Sequence, residues 1–480
     1  MPSTAIVWIR RDLRLTDNPA LNVALRYHDQ IVIAYIFNDR EEAPWEMGAA
    51  SRWWLHHGLV SFAEDLKAHG GALVIRQGES LKTLIDLYNE TRADAVYWNR
   101  LYEPAVIKRD KFIKRELGKN GIVAKSFNGA LLYEPWDIEK EGGGPYKIYT
   151  PFSRRYFQLP LPGIEHGKPA SLTFVKPSPA HLIPEQLNLL PEKNWHNEFG
   201  NHWQPGEAGA NEKLKQFLDE VVLRYTTDRD IPATLGVSRL SPHLHFGEIS
   251  PRQVWHAVQL YASFRQREDD VKPYLKQLIW RDFAHHLLYH FPCTSHKPFR
   301  EQFVDFQWRQ NEAFFQAWCE GKTGIPLIDA GMRELWRTGW MHNRIRMLVA
   351  SFLTKNGLVH WLEGAKWFWD ALVDASLANN TMGWQWTAGC GVDAAPYFRI
   401  FSPVRQGGRF DQQGLYIKKW VPEIANLPEK YIHQPWAAPA SVLSSINFVA
   451  GKSYPLPIVD LSSSRKLALE RYQALKSSGQ

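Results

Sequence analysis

Residues 5–37, AIVWIRRDLRLTDNPALNVALRYHDQIVIAYIF, decide the fold class. Residues 5–9 and 31–37 are near-continuous apolar runs of strand length. Between them Thr16-Asp17-Asn18-Pro19 reads as a helix start, with Pro19 near the first helical position, where its missing N–H is not needed. A strand without a polar alternate face must be buried on both sides, which points to a parallel sheet covered by helices. The pattern continues outward. Further strands are predicted at 72–76, 95–98 and 122–126. Helical stretches fall at 51–69, 80–92 and 103–119, and Gly70-Gly71 stops the first of them. Residues 1–133 are therefore expected to form a doubly wound parallel α/β domain.

From Glu134 the pattern breaks. Residues 134–206 carry Gly142-Gly143-Gly144 and Pro160, Pro162, Pro177, Pro179, Pro184, Pro191 and Pro205, and read as a long interdomain linker laid over the surface. Residues 207–480 show no strand alternation. Amphipathic helical stretches at 207–224, 251–264, 271–290, 311–320, 326–338, 342–356 and 361–372 make this part all-α.

Length and composition narrow the class. A chain of 480 residues is long enough for two to four domains at about 150 residues each. With 44% apolar and 22% charged residues, global disorder is excluded. The net charge of +7 leans toward an anionic partner. Cys293, Cys319 and Cys390 are far apart, so neither a disulfide framework nor a Cys-based zinc site is expected. The N-terminus lacks a signal-peptide pattern and no apolar run reaches spanning length, so no membrane association and a cytoplasmic location are expected. The 21 tryptophans are the outstanding feature.

Several chemistries fall away on motif grounds. Asp282, His286 and His290 share one helix face, but the glutamate of a zinc-hydrolase HExxH is missing, so structural histidines are the better reading and no metal is expected. No GxSxG elbow, P-loop or GxGxxG is present, so the sheet alone does not imply dinucleotide binding. In VSRLSPHLHFG (237–247), Ser238, Arg239 and Ser241 place hydroxyls and a cation before a helical turn. That arrangement suits a diphosphate or an ordinary N-cap. Arg346 and Asp374 read either as a solvated salt bridge or as one polar wall for a planar heterocycle. Trp308, Trp361, Trp384 and Trp386 are costly core filler, because a buried indole must also satisfy its N–H.

Five segments of the second half, LIWRDF (278–283), GKTGIPLIDAGMREL (321–335), TGWMHNRIRM (338–347), LANNTMGWQW (377–386) and DAAPYFRIFSP (393–403), together with WIRRDLRLTDNPAL (8–21), resemble the photolyase/cryptochrome family. They are most similar to its bacterial cyclobutane-pyrimidine-dimer photolyase branch. The resemblance implies an all-α domain that binds FAD. Its implied activity is light-driven splitting of cyclobutane dimers in UV-damaged DNA by an electron from reduced FAD, and a monomer is expected. Photolyases are among the enzymes known to flip their target nucleotide out of the duplex. The alternatives are a blue-light-sensing cryptochrome without repair and a (6-4) photolyase.

Carried over by motif, Tyr225, Ser238, Arg239, Leu240, Ser241 and Arg281 would meet the ribose and phosphates. Tyr274, Gln277, Asn343, Arg346, Asp374, Ser376 and Asn380 would line the cofactor, with Asn380 facing flavin N5. Trp308, Trp361 and Trp384 would carry an electron from the surface to the flavin. Gln277, Trp280, Met347 and Trp386 would meet the dimer. Arg229, Trp280, Asn343, Arg344 and Gln406 would contact DNA, which would give the positive charge a use. Three positions depart from the branch: Gln277 stands for Glu, Ser376 for Asp and Val237 for Thr. A second, antenna chromophore is often present in the family. The Asn-Glu pair that holds a folate in some members is replaced here by Ala105-Val106, which argues against that mode and leaves the antenna's identity open.

Overall fold

A computed structural model describes residues 2–164, 173–175 and 182–478. Pro177 and Pro179 of the expected linker lie outside the described residues. Five parallel strands, β1 (Thr4–Ile9), β2 (Gln30–Phe37), β3 (Leu73–Gln77), β4 (Ala95–Asn99) and β5 (Val123–Phe127), form one sheet in the order β3-β2-β1-β4-β5. The order reverses between β2-β1 and β4, as a doubly wound sheet requires. In β1 every residue is buried, because helices cover both faces. One apolar cluster packs Val7, Ile33 and Leu55 below the sheet, and another packs Ile6, Trp8 and Leu117 above it.

The first helix runs Pro19–Tyr27. Asn18 caps it by accepting the N–H of Leu21, a contact worth about 1 kcal/mol. The loop before it, which in a dinucleotide-binding sheet would be glycine-rich, does a different job. Arg14 is fully buried and donates to the carbonyls of Thr16, Asp17, Gly129 and Gly247. Glu207 accepts the N–H of Leu15, and Asp17 pairs with Arg252 at 3.0 Å. The turn after β1 thus bolts the sheet to the helical half. Gly247 sits at φ 64°, and a Cβ there would strike the carbonyl of Arg11.

The expected linker does more than lie over the surface. It contains the helix Tyr149–Tyr156, and Tyr146, Phe152 and Tyr156 are buried in the core of the helical half. Leu187, Leu189, Phe199 and Trp203 enter the sheet-side core. Asp282 and His286 are occupied by this segment and the two residues that precede it. Asp282 accepts from the backbone of Leu132 and Tyr133 and from the Tyr156 hydroxyl, while His286 accepts the N–H of Tyr146.

The second half is helical. The expected helices appear as Glu207–Glu220, Pro251–Ser263, Glu268–His290, Glu312–Cys319, Pro326–Thr338, Asn343–Ser351 and Trp361–Ala371. The stretch expected to stay helical to 356 changes to a π turn over Phe352–Asn356. Helices at Leu377–Ala388, Pro403–Phe410, Leu415–Trp420 and Leu461–Ser478 were not expected. The three cysteines are free. Among the described residues no helix is long and apolar enough to cross a membrane.

Candidate functional site

A cavity of about 980 Å³ lies in the helical half, with Arg11, Tyr102 and Glu103 of the sheet domain completing its wall. Its walls come from the loop before Ser241–His245, the long helix Glu268–His290, the first turns of Asn343–Ser351, and Leu377–Ala388. Nearly all the residues singled out in the sequence meet there. Tyr225, Ser238, Arg239, Leu240, Ser241, Tyr274, Gln277, Trp280 and Arg281 line it from the first part of the domain. Asn343, Arg344, Arg346, Met347, Asp374, Ser376, Asn380, Trp384 and Trp386 line it from the second part, and Arg229 stands at the wall as well. Trp308, Trp361 and Gln406 are not in the wall.

The inner wall is polar and incompletely paired. Arg346 donates to Asp374 at 2.9 Å and to the Met341 carbonyl at 2.7 Å. Asp374 is 4% exposed in its side chain and Arg346 24%, so this is a largely buried pair rather than a solvated bridge. The second carboxylate oxygen of Asp374, Oδ1, is buried without a protein partner. Such an orphan costs on the order of 1–3 kcal/mol unless a ligand satisfies it. Asn380 donates its amide N–H to the Ala365 carbonyl at 2.9 Å, which fixes the side chain's orientation. Ser376 caps the helix Leu377–Ala388, and its hydroxyl accepts from the Asn379 side chain at 3.0 Å. Ser and Asp are equivalent caps, so the exchange of Asp for Ser leaves this local role intact.

On the same inner wall, Arg239 is held in a left-handed backbone conformation, φ 53°, and shares the Trp340 ring with Arg346, which lies 5.7 Å from its centre. The Arg239 guanidinium lies over the edge-to-face pair of Trp203 and Trp340, 4.7 Å from each ring centre. Burial lowers its pKa, and its Nε has no partner. The Trp340 indole donates to the Ser241 hydroxyl at 3.3 Å. Arg281 donates to the carbonyls of Ala130 at 2.6 Å and Leu244 at 3.4 Å. Burial drives the Tyr225 hydroxyl up to about 12. A buried cation, hydroxyls and an orphaned acceptor within one cavity fit a large cofactor that carries both anionic groups and a hydrogen-bonding ring system, such as FAD.

The outer wall is aromatic. Trp280, Trp386 and Met347 are partly exposed. Trp280 stacks face to face on Tyr149 of the linker helix, with ring centroids 3.5 Å apart and 7° between planes. The Tyr149 hydroxyl donates to the Lys276 carbonyl at 2.9 Å, on the same helix as Trp280. Sequence reasoning missed Tyr149, because it sits among glycines and prolines that read as loop. Gln277 donates to the Pro273 carbonyl at 3.2 Å, which leaves its Oε1 unengaged by that bond. The half-buried Gln406 lies one turn before Phe410, which carries Arg344 on its ring at 4.5 Å.

The three chain tryptophans lead away from the cavity. Trp384 lies in its wall and Trp361 is fully buried, while Trp308 is partly exposed. Trp384 packs against Gly364 on the helix that begins with Trp361. His360 bridges Trp361 at 5.6 Å and Trp308 at 5.2 Å between ring centroids. The indole N–H of all three is buried and unpartnered. The expectation that a buried indole finds an acceptor therefore fails here, and these rings are expensive as filler.

Comparison with known proteins identifies two family models in the chain. "DNA photolyase" matches residues 5–170, and "FAD binding domain of DNA photolyase" matches 274–474. A deoxyribodipyrimidine photo-lyase of Agrobacterium fabrum is 45% identical over 98% of this chain and 98% of its own length. Cryptochrome-1 of Arabidopsis thaliana is 36% identical over 96% of this chain and 69% of its own. The crystal structure of a bacterial class III photolyase from Agrobacterium tumefaciens superposes with a TM-score of 0.96. It is 44% identical and covers 99% of this chain and 98% of that one.

Proposed function

The chain belongs to the photolyase/cryptochrome family, and we propose that its cavity binds FAD against the inner wall and receives a flipped pyrimidine dimer against the outer wall. The chain is a light-driven DNA-repair enzyme, a deoxyribodipyrimidine photo-lyase. The partner is UV-damaged DNA, and the same reading divides the chain into an antenna-type domain (1–133), a linker (134–206) and the FAD-binding catalytic domain (207–480). The observation that carries the cofactor assignment is the buried, unpartnered Oδ1 of Asp374 opposite Arg346. A carboxylate–guanidinium pair of that kind offers one acceptor and several donors to a flavin edge.

When bound and reduced, FAD supplies the photoexcited electron that opens the cyclobutane ring. The chain's residues do the rest. Arg239, Ser238 and Ser241 would hold the phosphates, with Arg281 adding charge in the same cavity. Tyr225, Leu240, Tyr274, Asn343, Ser376 and Asn380 shape the pocket, and Asn380, oriented by the Ala365 carbonyl, would offer a neutral amide to the bound ring. Trp280 and Trp386 sandwich the lesion, Met347 packs on it, and Gln277 offers an amide oxygen and one N–H to its edge. Arg229, Arg344 and Gln406 hold the DNA backbone, with Trp280 and Asn343 at the mouth. Trp384, Trp361 and Trp308 would form the path by which an electron from an external reductant at the surface could reach the pocket. Each of these roles is tested by the corresponding variant. The decisive one for the cofactor is Asp374→Ala. It should purify with less than a tenth of the wild-type FAD content while keeping its helical circular dichroism. Full FAD retention would remove Asp374 from the site.

A further inference from the structure

We propose that Asp230 competes internally with DNA phosphate for Arg344 and so sets the strength and salt dependence of DNA binding. The proposal rests on the DNA-facing reading of the cavity mouth. Asp230 lies in the cavity wall, in the segment that follows the helix Tyr225–Asp228. Its carboxylate accepts from Nη2 of Arg344 at 2.6 Å. The guanidinium has one further contact, lying 4.5 Å from the Phe410 ring centre, and the helix start that carries it is capped by His342, whose Nδ1 accepts the Arg344 backbone N–H at 3.2 Å. The Nε of this guanidinium is buried and unpartnered. The cation is thus held rigid and half-satisfied: one donor is taken by a carboxylate and another is left without an acceptor.

A carboxylate presents the same paired oxygens to a guanidinium that a phosphodiester does. In the free protein Asp230 occupies the place of one phosphate contact. While Asp230 holds Arg344, a bound duplex forgoes that phosphate contact or meets the cost of displacing the carboxylate. Asp230 therefore weakens DNA binding by the same factor whether or not the strand carries a lesion, and discrimination is left to Trp280, Trp386 and Met347. It also hides one positive charge from bulk DNA. A freed guanidinium would add about 0.9 to the magnitude of the slope of log Kobs against log salt.

The test is fluorescence-anisotropy binding of the FAD-loaded wild type, Asp230→Asn, Arg344→Gln and the double variant. Each is titrated with undamaged and dimer-containing duplex across a salt series. Asp230→Asn should bind both DNAs about two- to fivefold more tightly, the span set by a half-buried ion pair of about 0.4–1 kcal/mol. Its salt slope should steepen by about one on both DNAs, and its preference for the lesion should stay within about twofold. In the Arg344→Gln background the gain should vanish. Equal weakening of both DNAs by Asp230→Asn would mean that Asp230 only orients Arg344, and would overturn the proposal. So would a gain that persists without Arg344. Absence of salt-dependent DNA binding by the wild type would refute the DNA-facing reading, and the competitor role with it. Unchanged flavin absorption and thermal midpoint in Asp230→Asn exclude misfolding as the cause.

Discussion

Removing the ring of Tyr149 tests how the outer wall of the cavity is built. Tyr149 and Trp280 are stacked at 3.5 Å and 7°, and the hydroxyl ties the pair to Lys276 on the helix that carries Trp280. An aromatic pair of this kind contributes about 0.5–1.5 kcal/mol beyond simple burial. The neutral hydrogen bond contributes about another 1 kcal/mol. Tyr149→Leu removes both, so about 1.5–2.5 kcal/mol that now holds the Trp280 ring in one orientation is lost. If that order is used only to receive the lesion, the dimer's dissociation constant rises about 10- to 70-fold. Binding to undamaged DNA, which rests on phosphate contacts, should change less than twofold. Tyr149→Phe keeps the stack and loses only the bond, so its effect on the dimer should be about fivefold. The assay is competitive binding of dimer-containing and undamaged duplex, paired with single-turnover repair at saturating lesion. Tyr149→Leu should raise the concentration needed for half-maximal repair and leave the saturated rate within about twofold. Equal loss on both DNAs, or a larger effect from Phe than from Leu, would refute the reasoning.

Three further outcomes follow from the same geometry. Trp308→Phe should slow photoreduction of oxidised FAD by at least tenfold while repair by chemically reduced enzyme is nearly unchanged. Transient absorption checks this, and unchanged photoreduction would exclude Trp308 from the relay. Asp17→Ala strips a buried partner from Arg252. It should cost about 3–5 kcal/mol and uncouple the sheet from the helical half, seen as a lowered or split thermal transition. Burial raises the Asp329 carboxyl from its ordinary 3.8 to about 6, although it accepts from Thr323, Gly324 and Tyr454. The folded state therefore holds this proton more tightly than the unfolded chain. Its contribution is present below pH 4 and is lost as the pH rises toward 6. Asp329→Asn should flatten that segment of the stability profile in denaturant titrations.

The sheet was legible because its strands are buried on both faces, and continuous apolar runs have few other uses. The cap at Asn18 followed from local chemistry alone. The linker was misread where Gly142–Gly144 and the prolines masked the helix Tyr149–Tyr156. That helix forms because its aromatic residues find a tertiary core, which no local pattern announces. The helix Leu377–Ala388 has no clean apolar stripe. Its polar face lines a cavity rather than solvent, so amphipathic periodicity could not reveal it. The cavity residues were legible only as motifs. What the motifs did not contain is the pairing. Ser376 serves as a cap, Asp230 sits on Arg344, and Tyr149 backs Trp280 from more than a hundred residues away. Such contacts depend on chain paths that a linear pattern does not encode.

The most direct measurement is blue-light illumination of the purified, chemically reduced protein with DNA that contains cyclobutane pyrimidine dimers, counting intact dimers over time. The account predicts loss of dimers that requires light, requires reduced FAD and fails with Trp280→Ala at low substrate. Dimers that persist under illumination, while the flavin of the same preparation is photoreduced normally, would contradict it.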